Sequence, residues 1–217
     1  MNGKNSAVAV SINRSVVGKI PRDAPQKAWA RFHSQWQPEA MNAHELAVNV
    51  WKGYSFAPVF KTRKIKADFS EAWHLALDYD CGDERAKFDN LLEDYVIKTY
   101  SSFLYYTPSS EPPAYKARVV FIFDKPYRTV EEYEKVIKAF AWRYPDSDQS
   151  TTDAARFFYG SLGAELRGQW SLLPQNIAAE VVDMHEKEAP TRAITPKRTL
   201  QTTAGRARAT RPSQKNR

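Results

Sequence analysis

The stretch HLALDYDCGDE, His74 to Glu84, ends an apolar run with two carboxylates one residue apart, Asp78 and Asp80, and two more acids follow at Asp83 and Glu84. With the residues before it, Ala72–Asp80 reads AWHLALDYD, a short apolar segment of strand type. Side chains on a strand alternate between faces, so His74, Asp78 and Asp80 share one face. The two aspartates are then roughly 6.8 Å apart along the backbone. Like charges so placed repel unless a cation lies between them. Hard divalent cations take carboxylate oxygens as ligands.

The elements around this strand set the expected fold. ERAKFDNLLEDYVIKTY places Phe88, Leu91, Leu92, Tyr95 and Val96 on one helical face. SFLYYT is a strand, PSSEPPAY a turn or loop, and KARVVFIF a strand rich in β-branched and aromatic residues. TVEEYEKVIKAFAWRY opens with Thr129 and Glu132 in capping-box spacing and continues as a helix. PDSDQSTTDA is a loop and ARFFYGS a fourth strand. The order is β-α-β-β-α-β, an α+β fold of the RRM or ferredoxin-like kind, with N-terminal helical and extended elements packed against the sheet. Right-handed crossovers predict the spatial order four, one, three, two. That order collects Asp78, Asp80, the loop Thr107–Ser110, Lys116, Arg118 and the loop holding Asp146 and Asp148 at one rim. Asp124 falls on the opposite edge.

Upstream, Trp29, Phe32 and Trp36 recur at helical spacing, and Asn42 with Glu45 forms a capping-box pattern for a helix that stops near Gly53. YSFAPVF is extended, and a basic cluster of Lys61, Arg63, Lys64 and Lys66 follows it. PQNIAAEVVDMHEKEA is a last helix with Pro174 in its first turn. The expected division is a flexible N-terminus over 1–20, a folded domain over 21–190 and a disordered basic tail over 191–217.

The 217 residues carry a net charge of +7, unevenly distributed. From Thr191 onward there are eight Lys or Arg and no Asp or Glu, and subtracting eight from +7 leaves about −1 for the rest. The tail, with Arg206, Arg208 and Arg211, suits a polyanion such as nucleic acid. One cysteine, Cys81, excludes a disulfide framework within the chain and suits the cytoplasm. There is no apolar run long enough for a membrane span and no sustained signal-peptide core.

Three stretches, HLALDYD, YYTPSSEPPAYKARVVFIFDKP and SDQSTTDAARFFYGS, resemble the archaeo-eukaryotic primase superfamily, and within it the primase-polymerase domains of phages and plasmids. The similarity runs from Trp51 to Pro174. It implies template-dependent nucleotidyl transfer, as DNA primase, DNA polymerase or both, in replication of a phage, plasmid or similar element. It further implies catalytic, metal-holding roles for Asp78, Asp80 and Asp148, with Asp146 as the alternative to Asp148, and a pair of Mg²⁺ or Mn²⁺ ions. Nucleotide contacts fall to Ser109, Ser110, Lys116, Arg118 and Arg156, and nucleic-acid contacts to Lys61, Arg63, Lys64 and the tail arginines. The implied partners are a single-stranded DNA template, nucleoside triphosphates and a separate helicase. The family's histidine in the loop after the second strand is replaced here by Ser110, and none of the four histidines lies in that loop.

Three other functions compete. A catalytically impaired primase-like protein would retain single-stranded nucleic-acid binding alone. A pure RRM-type binding module is disfavoured because KARVVFIF lacks the glycine of that pattern. A rolling-circle nickase needs paired histidines that this chain does not place near the sheet. His74 reads as a packed core histidine rather than a ligand.

Overall fold

A computed structural model describes residues 6–192. In chain order its strands are β1 (Val8–Asn13), β2 (Gln37–Met41), β3 (Ser55–Ala57), β4 (Val59–Phe60), β5 (Phe69–Tyr79), β6 (Phe103–Tyr106), β7 (Ala117–Tyr127) and β8 (Leu166–Gly168). Its helices are α1 (Gln26–Ser34), α2 (Ala43–Trp51), α3 (Phe88–Leu91), α4 (Tyr95–Tyr100), α5 (Val130–Arg143) and α6 (Gln175–Arg192). The fold is α+β with two antiparallel sheets, ordered β2-β1-β3 and β4-β5-β7-β6-β8.

The long strands β5 and β7 form the middle of the larger sheet, with Leu77 opposite Val119 and Asp78 opposite Arg118. Both faces of this pair are covered, which is why β5 reads as a nearly continuous apolar run. Leu75, Leu77 and Tyr79 face a core shared with Tyr133, Val136 and Phe140 of α5 and Val181 of α6. Ala76, Val120 and Ile122 face the other core, built with Val10 and Ile12 of β1, Leu46 and Val50 of α2 and Phe56 of β3. His74 is fully buried beside Phe56, ring centroids 5.1 Å apart.

The expected order of the first three strands of the motif holds, since β5, β7 and β6 lie side by side. The expected fourth strand does not form. ARFFYGS makes only an isolated bridge, Phe158 with Phe56, and the edge of β5 is paired by β4. A turn at Asp153, whose carbonyl and carboxylate accept from Arg156 N and Ala155 N, engages the backbone at the segment's start. Its rings then pack as a cluster, Phe157 against Phe32 and Trp36, rather than as strand neighbours. The four-strand order predicted above is therefore not the observed one.

Two other expectations are corrected. Val8–Asn13 is the middle strand of the smaller sheet, not part of a flexible segment over 1–20, because Val8, Val10 and Ile12 are buried in the core shared with α2 and β7. The single helix read over Glu84–Tyr100 is broken into a 3-10 turn, α3 and α4. Asp94 causes the break: its carboxylate accepts from Val96 N and Ile97 N and starts α4 afresh, leaving Tyr95 exposed. The predicted Asn42–Glu45 capping box and the Thr129 cap of α5 are both present. The tail arginines Arg206, Arg208 and Arg211 lie outside the described residues. No described helix is long and apolar enough to cross a membrane.

Candidate functional site

The Asp-x-Asp of β5 meets a Lys-x-Arg on β7. Antiparallel register sets Asp78 opposite Arg118, and two residues further out Lys116 reaches Asp80. Arg118 Nη2 donates to Asp78 Oδ2 at 2.5 Å, with side chains only 7% and 15% exposed. Arg118 Nη1 also donates to the Tyr105 hydroxyl at 2.7 Å and the Tyr159 carbonyl at 3.1 Å, and its guanidinium lies 4.8 Å from the Phe158 ring centre. Burial opposes the charge of Arg118, but Asp78 and the Tyr105 hydroxyl more than offset this and hold its pKa above the usual value. The outer pair is looser: Lys116 Nζ sits 2.5 Å from Asp80 Oδ1, with Asp80 59% exposed. The repulsion expected within Asp-x-Asp is thus relieved by cross-strand cations of the chain itself.

The third acid comes from the loop after α5. Asp148 N donates to the Asp78 carbonyl at 2.7 Å, which ties that loop to the end of β5. The Asp148 carboxylate accepts from Ser150 N at 2.9 Å and lies 4.0 Å from Arg156 Nη2. Asp146, the alternative third acid, is instead paired with Arg85, which also holds Asp83.

The rim loop between β6 and β7 is pinned by three hydrogen bonds. Thr107 N donates to the Lys116 carbonyl (2.9 Å), Ser110 N to the Thr107 carbonyl (2.9 Å), and Lys116 N to Ser110 Oγ (2.9 Å). A narrow cleft of about 60 Å³ opens at the acids, lined by Lys19, Asp78, Asp80, Thr107, Ser109 and Arg118 among others. Ser109 is on this cleft, whereas Ser110 faces a larger one on the other side of the loop.

The predicted residues therefore divide. Asp78, Asp80, Asp148, Ser109, Lys116 and Arg118 gather at one strand end, with Arg156 beside Asp148. Arg118 is not available to a phosphate as expected, because it is buried and committed to Asp78, Tyr105 and Tyr159. The Ser110 hydroxyl accepts from the Lys116 backbone rather than pointing into the acid cleft. Arg63 is exposed next to Asp68, and Lys61 is exposed. Lys64 is not a free surface cation: it donates to the Ala155 carbonyl at 2.8 Å and lies 4.8 Å from the Phe157 ring centre. Burial lowers the Lys64 pKa to about 8. Asp124, on the opposite edge, accepts from Gln175 N and so starts α6. Sequence reading missed Lys19, for which no pattern exists, and the aromatic cradle of Arg118.

A hard cation suits the oxygen donors of this strand end, and Lys116 already stands on Asp80 as a positive charge would. The carboxylates do not form a ready three-acid cage: among the described residues no three His, Cys, Asp or Glu side chains converge on a metal position. Asp78 and Asp80 are the pair that would hold such an ion, with Asp148 adjacent.

No family model and no curated protein matches the chain. Among solved structures it is similar to the AEP domain of the cyanophage S-2L primase-polymerase (PrimPol), at 9% sequence identity over 81% of this chain and 88% of that chain, with a TM-score of 0.47.

Proposed function

We propose that the chain is a template-dependent nucleotidyltransferase of primase-polymerase type. The observation that supports it most is the hydrogen bond from Asp148 N to the Asp78 carbonyl, which ties the loop carrying Asp148 to the end of the strand bearing Asp78. In the reaction a strand 3′-hydroxyl attacks the α-phosphorus of a nucleoside triphosphate. The new bond is O3′–Pα, the broken bonds are Pα to the bridging oxygen and the hydroxyl O–H, pyrophosphate leaves and the proton passes to solvent. Mg²⁺ or Mn²⁺ held by Asp78 and Asp80 would supply charge for the triphosphate and acidify the hydroxyl. Lys19 would draw the triphosphate to the cleft, and the Ser109 hydroxyl would offer it a hydrogen bond. Arg118 orients Asp78 through its hydrogen bond to the carboxylate. The template would be single-stranded DNA, opened by a separate helicase.

The runner-up is a catalytically impaired single-stranded nucleic-acid-binding protein. Two observations favour it: Asp78 is already neutralised by Arg118, and Ser110 brings no charge to the rim. Extension of a labelled primer, and synthesis without one, on single-stranded template with Mg²⁺ or Mn²⁺ separates the two. Incorporation supports the enzyme. Strand binding without incorporation under either metal supports the binding protein.

A further inference from the structure

We propose that the large cleft behind the rim loop is a nucleobase-binding site, an inference that rests on the nucleotidyl-transfer reading and extends it. The cleft measures about 760 Å³ and shares Thr107 and Pro108 with the acid cleft, so the loop is a common wall. A volume of this size holds a small ligand. Its floor is aromatic. Phe88 and Tyr106 stack with ring centroids 4.0 Å apart and planes 9° apart, and Tyr115 tilts against Tyr106 at 5.6 Å. Leu162, 68% exposed, adds apolar surface at the lip.

The charges in the cleft are already matched. Lys87 Nζ is 2.6 Å from Glu84 and 4.9 Å from the Tyr115 ring centre. Arg167 is 2.5 Å from Asp89, 4.0 Å from Glu165 and 5.5 Å from the Phe88 ring centre. With its cations paired to carboxylates, this cleft has little to offer a phosphate. It suits a flat, neutral, polarisable group, and a base stacked on Tyr115 is such a group. The loop carrying Tyr115 is pinned at Thr107, Ser110 and Lys116, so the site exists before any ligand arrives. The base can belong to a nucleoside triphosphate or to a single strand.

Calorimetric titration without metal tests this, using a deoxynucleoside triphosphate, a short single-stranded oligonucleotide, tripolyphosphate and an abasic oligonucleotide. The proteins are wild type, Tyr115→Ala, Tyr115→Phe and Asp80→Asn, each checked for folding by thermal melting. Tyr115 is half-buried on a loop, and Tyr115→Phe keeps its ring. Tyr115→Ala is expected to weaken the base-bearing ligand roughly five- to a hundredfold, the range for one stacked base. Tyr115→Phe should stay within about twofold on the same scale, and the two baseless probes should not respond. An effect on the triphosphate assigns the cleft to the incoming nucleotide; an effect on the oligonucleotide alone assigns it to the strand. Unchanged affinity of both base-bearing probes in Tyr115→Ala overturns the proposal, as does wild-type binding of baseless probes equal to their base-bearing counterparts. Asp80→Asn should bind bases as the wild type does, and absence of incorporation by the wild type with intact Tyr115-dependent binding would count against the enzyme and not against this site.

Discussion

Removing the Asp78 carboxylate leaves the Arg118 guanidinium buried against Tyr105 and Phe158 with no counter-charge. Breaking a buried pair from one side costs about 3–5 kcal/mol. Asp78→Ala is therefore expected to lower unfolding stability by about that amount, read by urea titration, and its loss of activity would mix folding with chemistry. Asp80 is largely exposed and its pair with Lys116 contributes little to stability, so Asp80→Asn is the cleaner probe. His74 makes a separate statement. Burial drives its pKa down to about 3, and neither ring nitrogen has a hydrogen-bond partner. The folded state binds fewer protons than the unfolded chain between about pH 3 and 6.5, so stability rises with pH across that window and is lost as pH falls through it. His74→Leu should remove this acid-side slope and raise stability at pH 7 by about 1–3 kcal/mol, the cost of an unsatisfied buried polar group. A melting-temperature series from pH 4 to pH 7 checks both.

At the scale of elements, β5 and β7 were legible because apolar runs bounded by charges and prolines read the same buried on either face. The partnership of Asp-x-Asp with Lys-x-Arg was not, since both motifs stand in the sequence but only the register of Asp78 against Arg118 joins them. ARFFYGS misled because aromatic residues have high strand propensity, while here Phe157 is held by rings of α1 and its flank. The helix break at Asp94 was missed because its apolar neighbours keep helical spacing across the new cap. Ser110, expected to contact the nucleotide, has a hydroxyl that fastens the loop to the Lys116 backbone. Ser110→His should loosen that loop rather than tighten triphosphate binding, and hydrogen exchange at the Lys116 amide, faster in the variant, would report it. An unchanged rate with tighter triphosphate binding would contradict the assignment.

Across the whole molecule, the two sheets bury both faces of β5 and leave its acidic end at the surface, in a narrow charged cleft that the rim loop separates from a wide aromatic one. The eight Lys and Arg over 191–217 are expected to add a long-range attraction for polyanions. Deletion of this tail should weaken single-strand binding and flatten the salt dependence by about 0.7 in slope for each phosphate the tail neutralises, measured by anisotropy over a salt series. The most direct measurement is primer extension with Mg²⁺ or Mn²⁺ by wild type, Asp80→Asn and Asp124→Asn. Asp124 is the matched control, because it lies on the opposite edge and an asparagine oxygen can still accept from Gln175 N. The account predicts that Asp80→Asn loses incorporation by at least about a hundredfold, of the order seen for removal of a key electrostatic group, while Asp124→Asn stays near wild type. Equal incorporation by wild type and Asp80→Asn, or a loss confined to Asp124→Asn, would contradict it.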